Sequence, residues 1–525
     1  MTTAAPKITY TTLGSSEEFH AAFEAAVEDA RRSFGALWPA SIAGRPSRSS
    51  RIAEVRSPID RRMLLARVEQ ATAEEASTAV DVADGAFPAW RELGWQARVA
   101  ILRRAAEEIS KHKYEAAAIM AYEVGKNRLE AMGEVEEVAD LLRYYAATME
   151  EQGGFRRPMA RLTPSESTES VLLPYGVFGV VAPFNFPMAL AAGMIGAALV
   201  AGNTVVFKPS SEAPLSGALL CRALWQAGVP RDVLHFLPGS GAQVGEAILE
   251  HPRTQGMAFT GSYDVGMRIY RGFSSEYPKP VVVEMGGKNP AIVLASADLD
   301  AAANGVARSA FGYGGQKCSA CSRVYVEESV RDAFTAKLLD ATSQLRVGDP
   351  LRREVFLGPL ISAKAVQNFS HYVDRARRDG GEVLAGGHTV TEGELQHGNF
   401  VEPTIVRLQD DESALFSEEM FVPLLLVSSI ADLDAGLRLA NRAPYGLTAG
   451  IFSRDRDEVR RFLDGIEAGV VYVNRRGGAT TGAWPGVNPF GGWKASGSGG
   501  PAALGPWYLL KFLREQSRTV NDVEL

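Results

Sequence analysis

Short apolar runs alternate with helical stretches through the second quarter of the chain. The runs Gly179–Ala182 and Thr204–Phe207 are predicted as buried strands, and Met188–Ala201 between them as a helix. Further strands and helices are predicted in alternation at 215–227, 233–237, 243–250, 256–260, 264–270 and 280–284. Strands joined by helical crossovers predict a parallel, doubly wound sheet, and such sheets bind nucleotides at the carboxyl ends of their strands.

The other patterns predict three further regions. Residues 16–150 are mainly helical, with one long helical periodicity from Arg98 to Met149. A second strand–helix series runs from about Pro290 to Asn474. Residues 155–180 alternate as a ribbon does, and the tail 507–523 supplies a candidate edge strand. The predicted fold class is therefore α/β, with two doubly wound domains and a small β ribbon.

The composition is that of an ordinary globular protein, with 525 residues of which 46% are hydrophobic and 22% charged. A net charge of −7 and a pI near 5.7 argue against nucleic acid or an anionic membrane as partner. Residues 171–207 carry no charge, but prolines, asparagines and glycines interrupt them, which favours a buried unit over a membrane span. The three cysteines form neither a disulfide framework nor a zinc-binding pattern. These features predict a soluble, cytoplasmic protein without a metal site.

One cysteine is a candidate nucleophile. Cys318 lies in the glycine-rich run Gly314–Ala320 and directly follows Lys317. Backbone N–H groups and a neighbouring cation favour the thiolate, which is the nucleophilic form of cysteine. The alternatives are a small buried apolar residue or a redox pair with Cys321. Cys221 lies in an apolar helix and is assigned to packing.

Two further polar residues follow predicted strands. Glu284 ends the apolar run Val281–Glu284, and partial burial there raises the pKa of a carboxyl group towards the range of a general base. A capping role or a salt bridge with Lys288 is the alternative. Asn185 stands between two phenylalanines and two prolines, and its side chain carries an N–H donor suited to an oxyanion hole. A turn-forming asparagine is the alternative there.

Two strand ends predict contacts with a nucleotide. Lys208 ends a strand, where its ammonium group can reach a ribose or a phosphate. The run Phe259–Ser262 forms a strand–Gly-Ser–helix junction, and the helix N-terminus suits a pyrophosphate. The dinucleotide fingerprint G-x-G-x-x-G is missing. The glycine-rich run Gly239–Gly245 is interpreted as a turn rather than a phosphate loop.

In combination these motifs resemble the aldehyde dehydrogenase superfamily, from about residue 36 to the C-terminus. Seven motifs occur in the family's order, and they are Phe184-Asn185-Phe-Pro, Lys208-Pro-Ser, Phe259-Thr-Gly-Ser262, Glu284-Met-Gly-Gly-Lys, Gly315-Gln-Lys-Cys318, Glu419-Met-Phe421-Val-Pro and Asn488-Pro-Phe-Gly-Gly492. Each motif is weak evidence by itself, whereas seven in order are very specific. A catalytically silent binding protein of the same fold predicts loss of Cys318, Glu284 or Asn185, and none is lost.

The resemblance implies a role for each candidate catalytic residue. Cys318 attacks the aldehyde to give a thiohemiacetal, whose oxyanion is held by the Asn185 side chain and the Cys318 N–H. Hydride passes to the nicotinamide, and Glu284 activates the water that releases the acid from the thioester. The presence of Glu284 argues against release of the acyl group to coenzyme A.

The same resemblance implies an NAD site. Lys208 and Glu419 hold the cofactor riboses, Phe421 packs at the nicotinamide, and Ser262 lies by the pyrophosphate. The adjoining loops complete the predicted cofactor site with Pro183, Phe184, Ser211, Gly261 and Gly266. Ser211 stands where an acidic residue often binds the adenosine ribose, so NADP is permitted as well as NAD.

Within the superfamily, the runs Gln316–Ala320 and Tyr122–Asn127 resemble the 1-pyrroline-5-carboxylate (glutamate semialdehyde) dehydrogenase branch. That branch implies oxidation of L-glutamate 5-semialdehyde to glutamate, with another aldehyde as the alternative. It also implies that Ser319 and the Gly497-Ser498 loop bind the substrate carboxylate, next to Phe186 in the substrate site.

The resemblance also divides the chain into domains. Residues 16–154 and 176–284 are predicted to form a Rossmann-like NAD(P)-binding domain, and residues 285–490 a catalytic domain. Residues 155–175 and 500–525 are predicted to form an oligomerisation ribbon. The ribbon implies a homodimer or a dimer-based homo-oligomer that acts on a small-molecule aldehyde.

Overall fold

The computed structural model describes residues 7–12, 14–47, 49, 51–409 and 412–521. Its N-terminal part is dominated by the helices α1 (Glu17–Arg32), α2 (Ala73–Glu92), α3 (Trp95–Lys111), α4 (Lys113–Val124) and α5 (Arg128–Glu151). The long periodicity predicted from Arg98 to Met149 is thus divided among three helices. One break is at Gly125, whose φ of 75° ends α4 in the left-handed conformation that glycine adopts readily. The Asn127 side chain then caps α5.

Seven strands precede the first large sheet or flank it, and they are β1 (Ala36–Trp38), β2 (Ser41–Ile42), β3 (Arg45–Pro46), β4 (Ile52–Arg56), β5 (Leu64–Glu69), β6 (Arg156–Pro158) and β7 (Glu166–Pro174). Strands β1, β5 and β4 form a small sheet in that order. The sequence pattern did not predict β1, β2 or β3, because two or three residues are too few to display an alternation of apolar and polar positions.

The first large sheet contains β8 (Val177–Val181), β9 (Thr204–Lys208), β10 (Leu234–Phe236), β11 (Thr254–Thr260) and β12 (Val281–Glu284). Its crossover helices are α6 (Ala189–Ala201), α7 (Pro214–Gln226), α8 (Glu246–Glu250) and α9 (Tyr263–Gly272). The strand order is β12-β11-β8-β9-β10-β2-β3. Strands β8 to β12 pair in parallel, as predicted, and β2 and β3 add an antiparallel edge. Among the described helices, none is long and apolar enough to cross a membrane.

The second half of the chain contains the next eight strands. They are β13 (Asn289–Val293), β14 (Cys321–Glu327), β15 (Glu382–Ala385), β16 (Thr404–Arg407), β17 (Leu424–Ile430), β18 (Tyr445–Gly446), β19 (Thr448–Phe452) and β20 (Val470–Val473). All but β18 belong to the second large sheet. Its helices are α10 (Leu299–Phe311), α11 (Arg331–Ser343), α12 (Ala363–Arg378), α13 (Leu433–Asn441) and α14 (Arg456–Gly465). The order is β15-β16-β17-β14-β13-β19-β20, in which β15 alone is antiparallel to its neighbour. Strand β18 lies outside this sheet.

The ribbon joins distant parts of the chain. The last strands are β21 (Trp493–Lys494), which pairs with β18, and β22 (Leu513–Asn521). Strand β22 pairs antiparallel along the whole of β7, and β6 lies on the other side of β7. The segments 155–175 and 500–525 therefore meet in one three-stranded sheet, although residues 522–525 lie outside the described residues.

Candidate active site

A cavity between the two large sheets contains the thiol of Cys318 and the carboxyl group of Glu284. Helices α5 and α6 and the segment before the ribbon form its other walls. Most of the lining side chains are apolar, and they include Leu141, Tyr145, Phe186, Leu190, Met194, Leu447, Phe490, Leu504 and Tyr508. The fold therefore brings the two predicted reactive groups together in one cavity of low polarity.

Cys318 follows a tight reversal of the chain at the end of α10. Tyr313 adopts a φ of 54°, and a Cβ at Gly315 would come within 2.5 Å of a backbone carbonyl oxygen, so glycine is required there. The side chain of Asn289 donates to the carbonyl oxygens of Cys318 and Ala320, at 2.7 Å and 2.9 Å. Asn289 thus holds the backbone around Cys318. We name this segment, Gly314–Ala320, the nucleophile loop after its candidate nucleophile.

The electrostatic surroundings of the thiol differ from the sequence-based expectation. Lys317 lines the same cavity, but its Nζ donates to Glu130 at 2.7 Å and is thereby paired with a carboxyl group. Burial, followed by the negative charges of Glu419 and Glu284, raises the pKa of the Cys318 thiol to about 12. The prediction of an electropositive pocket around Cys318 is therefore wrong for the protein without a bound cofactor. The sequence places Lys317 next to Cys318, but it does not show which charged residue the Lys317 side chain contacts in the folded protein.

Glu284 lies at the carboxyl end of β12, as predicted. Its Oε2 accepts a hydrogen bond from the Gly492 N–H at 3.2 Å. Burial raises its pKa to about 7, against the opposing effects of Lys511 and the Gly492 N–H. The alternative salt bridge with Lys288 is not formed, since the Lys288 Nζ is buried without a hydrogen-bond partner among the described residues.

Asn185 is buried beside the nucleophile loop. Its Nδ2 donates to the carbonyl oxygen of Gln316 at 3.1 Å. The Gln316 side chain is held in turn, because its Nε2 donates to Tyr313 and its Oε1 accepts from the Ile361 N–H. The amide of Asn185 and the backbone that leads to Cys318 therefore belong to one rigid network.

On the other side of this site, Lys208 ends β9 and is buried. Its Nζ donates to the Pro209 carbonyl oxygen at 2.7 Å, and burial lowers its pKa to about 8. Ser211 lies close by and donates from Oγ to the Gly239 carbonyl oxygen at 3.4 Å. Lys208 and Ser211, two of the residues predicted to bind a ribose, thus lie close together at the carboxyl end of β9.

Glu419 precedes β17 of the second sheet, and its side chain reaches the loop that follows β12 of the first sheet. Its Oε1 accepts from the Gly287 N–H at 2.9 Å, and a Cβ at Gly286 would overlap its carboxyl group. Burial raises the pKa of Glu419 to about 7. The Phe421 ring contacts the Phe184 ring edge to face, with centroids 6.0 Å apart, and Phe421 has a φ of 56°. Pro183 lies next to Phe184 in the loop after β8.

Three predicted cofactor residues surround the start of α9. Ser262 is the N-cap residue of that helix, and its hydroxyl makes no capping bond. Gly261 and Gly266 have packing reasons to be glycine, since a Cβ would meet Phe259 at 2.5 Å and Met285 at 2.6 Å. Among the described residues, no group of three His, Cys, Asp or Glu side chains is arranged to hold a metal ion.

The predicted carboxylate-binding residues are only partly brought together. Ser319 and Phe186 line the cavity beside Cys318. Ser498, however, pairs its N–H with the Val283 carbonyl oxygen at 2.9 Å, and Gly497 forms a bridge with Glu284 behind the carboxyl group. Gly497 and Ser498 are not among the residues that line the cavity.

Another loop takes their place. Thr481, Gly482 and Ala483 line the cavity opposite Ser319. The hydroxyl of Thr480 donates to the Ser319 carbonyl oxygen at 2.6 Å, and so ties this loop to the nucleophile loop. The predicted segment Gly497-Ser498 extends β12 through the bridge between Gly497 and Glu284, whereas Thr481 to Ala483 line the cavity.

Sequence reasoning also missed Tyr10 and Glu137, which both line the cavity. The Tyr10 hydroxyl donates to the Glu137 carboxyl group, and burial raises the pKa of Glu137 to about 8. The Tyr10 ring contacts Phe186 and Trp484 edge to face, at centroid distances of 5.6 Å and 5.9 Å. A charged residue within the apolar periodicity of α5 was the one signal for Glu137, and no local pattern indicated Tyr10.

Comparison with known proteins agrees with this architecture. Residues 45–517 match the model of the aldehyde dehydrogenase family. A 1-pyrroline-5-carboxylate dehydrogenase of Geobacillus sp. (strain WCH70) is 37% identical over 508 residues, which is 96% of each chain. The chain therefore belongs to the aldehyde dehydrogenase family.

Solved structures extend the similarity to the whole fold. The 1-pyrroline-5-carboxylate dehydrogenase from Thermus with bound NAD superposes with a TM-score of 0.93 at 34% identity, covering 99% of this chain and 100% of that one. A betaine aldehyde dehydrogenase from Staphylococcus aureus in complex with NAD+ gives a TM-score of 0.89 at 26% identity, covering 96% and 98%. The resemblance, the fold class and the class of enzyme predicted from the sequence, an aldehyde oxidoreductase, are confirmed.

Proposed function

We propose that the chain oxidises L-glutamate 5-semialdehyde, the open form of 1-pyrroline-5-carboxylate, to glutamate with NAD as hydride acceptor. The relatives named for this activity support the substrate. The observation that carries the proposal is the presence of Cys318, Glu284 and Ser319 in one cavity. A nucleophile, a base and a hydroxyl for the substrate carboxylate are the groups that this reaction requires.

The residues of the predicted cofactor site fit a dinucleotide. Lys208 is buried and Glu419 is partly buried, and each makes one hydrogen bond to the backbone among the described residues, which leaves further polar capacity for ribose hydroxyls. Gly286 lets the Glu419 carboxyl group lie directly against the backbone after β12, because a Cβ there would overlap it. We assign Pro183, Phe184, Ser211, Gly261, Ser262, Gly266 and Phe421 to the same site. NAD supplies the hydride acceptor when it is bound, and Ser211 sets no negative charge against NADP.

The chemistry of the chain's own residues begins with Cys318. Its thiol loses a proton to water, and the resulting thiolate attacks the carbonyl carbon of the aldehyde. The Asn185 Nδ2–H and the Cys318 N–H stabilise the oxyanion of the thiohemiacetal. After oxidation to the thioester, Glu284 takes a proton from water, hydroxide adds to the acyl carbon, and the Cys318 thiolate leaves.

The turnover rate of the wild-type enzyme is expected to rise with pH through about 7 where deacylation limits it. Only the ionised carboxylate of Glu284 can accept a proton, and its pKa is raised to about 7. Below that pH, kcat falls by about tenfold per unit. Initial rates of NADH formation at saturating substrate from pH 5.5 to 9 measure the profile, and a flat profile contradicts the base role.

We propose that Ser319 binds the substrate carboxylate together with the N–H groups of Gly482 and Ala483. Replacing Ser319 by alanine is expected to lower kcat/KM for glutamate semialdehyde by about tenfold or more, because one charge-assisted hydrogen bond is lost. Butanal, which has no carboxylate, serves as the matched substrate and keeps its kcat/KM. An equal loss for both substrates indicates damage to the nucleophile loop instead. Ser498→Ala is the control loop variant.

A second candidate substrate is an uncarboxylated aldehyde. The apolar lining of the cavity favours it, as does Glu137, whose carboxyl group is already engaged by Tyr10. Values of kcat/KM for glutamate semialdehyde and for alkyl and aryl aldehydes, each with NAD and with NADP, decide between the two. A preference of about tenfold or more for glutamate semialdehyde is expected. A preference for the uncarboxylated series overturns the first proposal.

We further propose a dimer-based homo-oligomer in the cytoplasm. The three-stranded ribbon β22-β7-β6 supports the first part, because it is a small sheet with unpaired edges. The three free cysteines support a reducing compartment. Light scattering during gel filtration measures the mass, and a monomer at micromolar concentration contradicts the oligomer.

A further inference from the structure

Tyr10 lines two cavities. One is the cavity that contains Cys318, which we call the aldehyde cavity, and the other is a more polar cavity with a volume of about 280 Å³. The walls of the second cavity come from the N-terminal segment, the turn before α5 and the segment 352–356. Its charged lining residues are Arg128, Glu130, Arg308, Arg352, Arg353 and Glu354. The proposed function assigns no role to this cavity.

Most of these charges are neutralised by protein partners. The ion pairs are Arg128–Glu24, Arg353–Glu24, Arg353–Glu17, Arg352–Glu394 and Arg346–Glu354. Arg308 differs, because no ion pair is described for it and its buried Nε has no hydrogen-bond partner among the described residues. Its guanidinium group lies over the Phe356 ring, 5.2 Å from the centroid. Since arginine stays protonated, Arg308 presents an unpaired positive charge.

Glu130 supplies the complementary group. Its Oε1 accepts a hydrogen bond from Lys317, whereas its Oε2 is buried without a partner among the described residues. Burial lowers the pKa of Arg308, and the negative charge of Glu130 opposes that lowering. A buried donor and a buried acceptor, both unsatisfied, therefore belong to residues that line one cavity. Buried polar groups normally have partners, so this pair indicates a ligand with both kinds of charge.

We propose that this cavity binds a small zwitterionic α-amino acid. The ligand carboxylate pairs with the guanidinium group of Arg308, and the ligand ammonium group donates to Glu130 Oε2. An inorganic anion satisfies only Arg308, and an amine satisfies only Glu130. Because this site is distinct from the aldehyde cavity, the proposal goes beyond the proposed function and does not rest on it.

Calorimetric titration of the full chain with glycine, acetate and methylammonium tests the proposal. Glycine is expected to bind at least about tenfold more tightly than either half-ligand, because each half lacks one charge-assisted hydrogen bond. Equal affinity for acetate and glycine overturns the ammonium contact. A lack of glycine binding overturns the site, in which case water alone fills the cavity.

Two variants locate the ligand. Arg308→Gln is expected to weaken glycine binding about tenfold or more, whereas Arg352→Gln, on the same rim but paired with Glu394, binds like wild type. Unchanged binding in R308Q contradicts the site. Ser319→Ala must also leave glycine affinity unchanged, since a loss there assigns the ligand to the aldehyde cavity and overturns the proposal. If R308Q does not fold, the three-probe series on wild type still decides, and NADH formation tests the proposed function separately.

Discussion

Replacing Cys318 by alanine is expected to abolish aldehyde oxidation while NAD binding persists. The Cys318 thiol lies in the same cavity as the Glu284 carboxyl group, and we propose it as the nucleophile of the reaction. Removal of a catalytic nucleophile lowers turnover by on the order of 10⁴- to 10⁶-fold. Initial rates of NADH formation with glutamate semialdehyde measure the loss, and calorimetry with NAD measures cofactor binding.

Cys321→Ala is the matched control. Cys321 lies three positions further on, is buried at the start of β14, and donates from Sγ to the Arg323 carbonyl oxygen at 3.5 Å. It does not line the cavity, so its replacement is expected to retain turnover. Turnover in C318A above about one hundredth of the wild-type value would contradict the nucleophile assignment. Equal losses in both variants would point to damage of the loop.

Replacing Glu284 by glutamine is expected to preserve the first hydride transfer and to stall deacylation. Glutamine keeps the size of the side chain and an oxygen that accepts from the Gly492 N–H, but it cannot take a proton from water. Loss of a general base lowers the rate by roughly 10²- to 10⁴-fold. Rapid-mixing absorbance should therefore show a burst of about one NADH per subunit, followed by a slow steady state.

The surface variant Glu250→Gln, at the exposed end of α8, controls for the loss of a negative charge. It is expected to give a linear time course at the wild-type rate. A linear wild-type course in E284Q would remove Glu284 from deacylation. Absence of both the burst and the steady state would instead indicate that Glu284 also takes the thiol proton.

The fold was largely predictable because most of its strands and helices can be recognised from short stretches of the sequence. Buried parallel strands such as Thr204–Lys208 are largely apolar runs, and the crossover helix α6 is apolar and buried along almost its whole length. The antiparallel strands β2 and β15, which lie towards one end of each large sheet, were not predictable in the same way. Their pairing depends on which edge is open after the sheet has formed, and that is a property of the assembled sheet.

The candidate site was predictable where a residue ends a strand or a tight turn. Glu284 and Lys208 lie at the carboxyl ends of β12 and β9, and the Gly-rich run fixes Cys318, so short-range geometry suffices. The charge around the thiol was not predictable. Lys317 is neutralised by Glu130, 187 positions away in the chain, and burial, followed by the charges of Glu419 and Glu284, raises the pKa of the thiol.

The amino-acid sequence by itself determined the class of fold, the family and the residues proposed as nucleophile, base and oxyanion donor, because each rests on a local motif. Only the tertiary structure decided which loop faces the substrate. It turned Gly497 and Ser498 towards β12, set Thr481 to Ala483 opposite Ser319, and brought Tyr10 from the N-terminus onto Glu137. Those contacts join segments far apart in the chain, and they exist only when both sheets and the N-terminal segment have packed together.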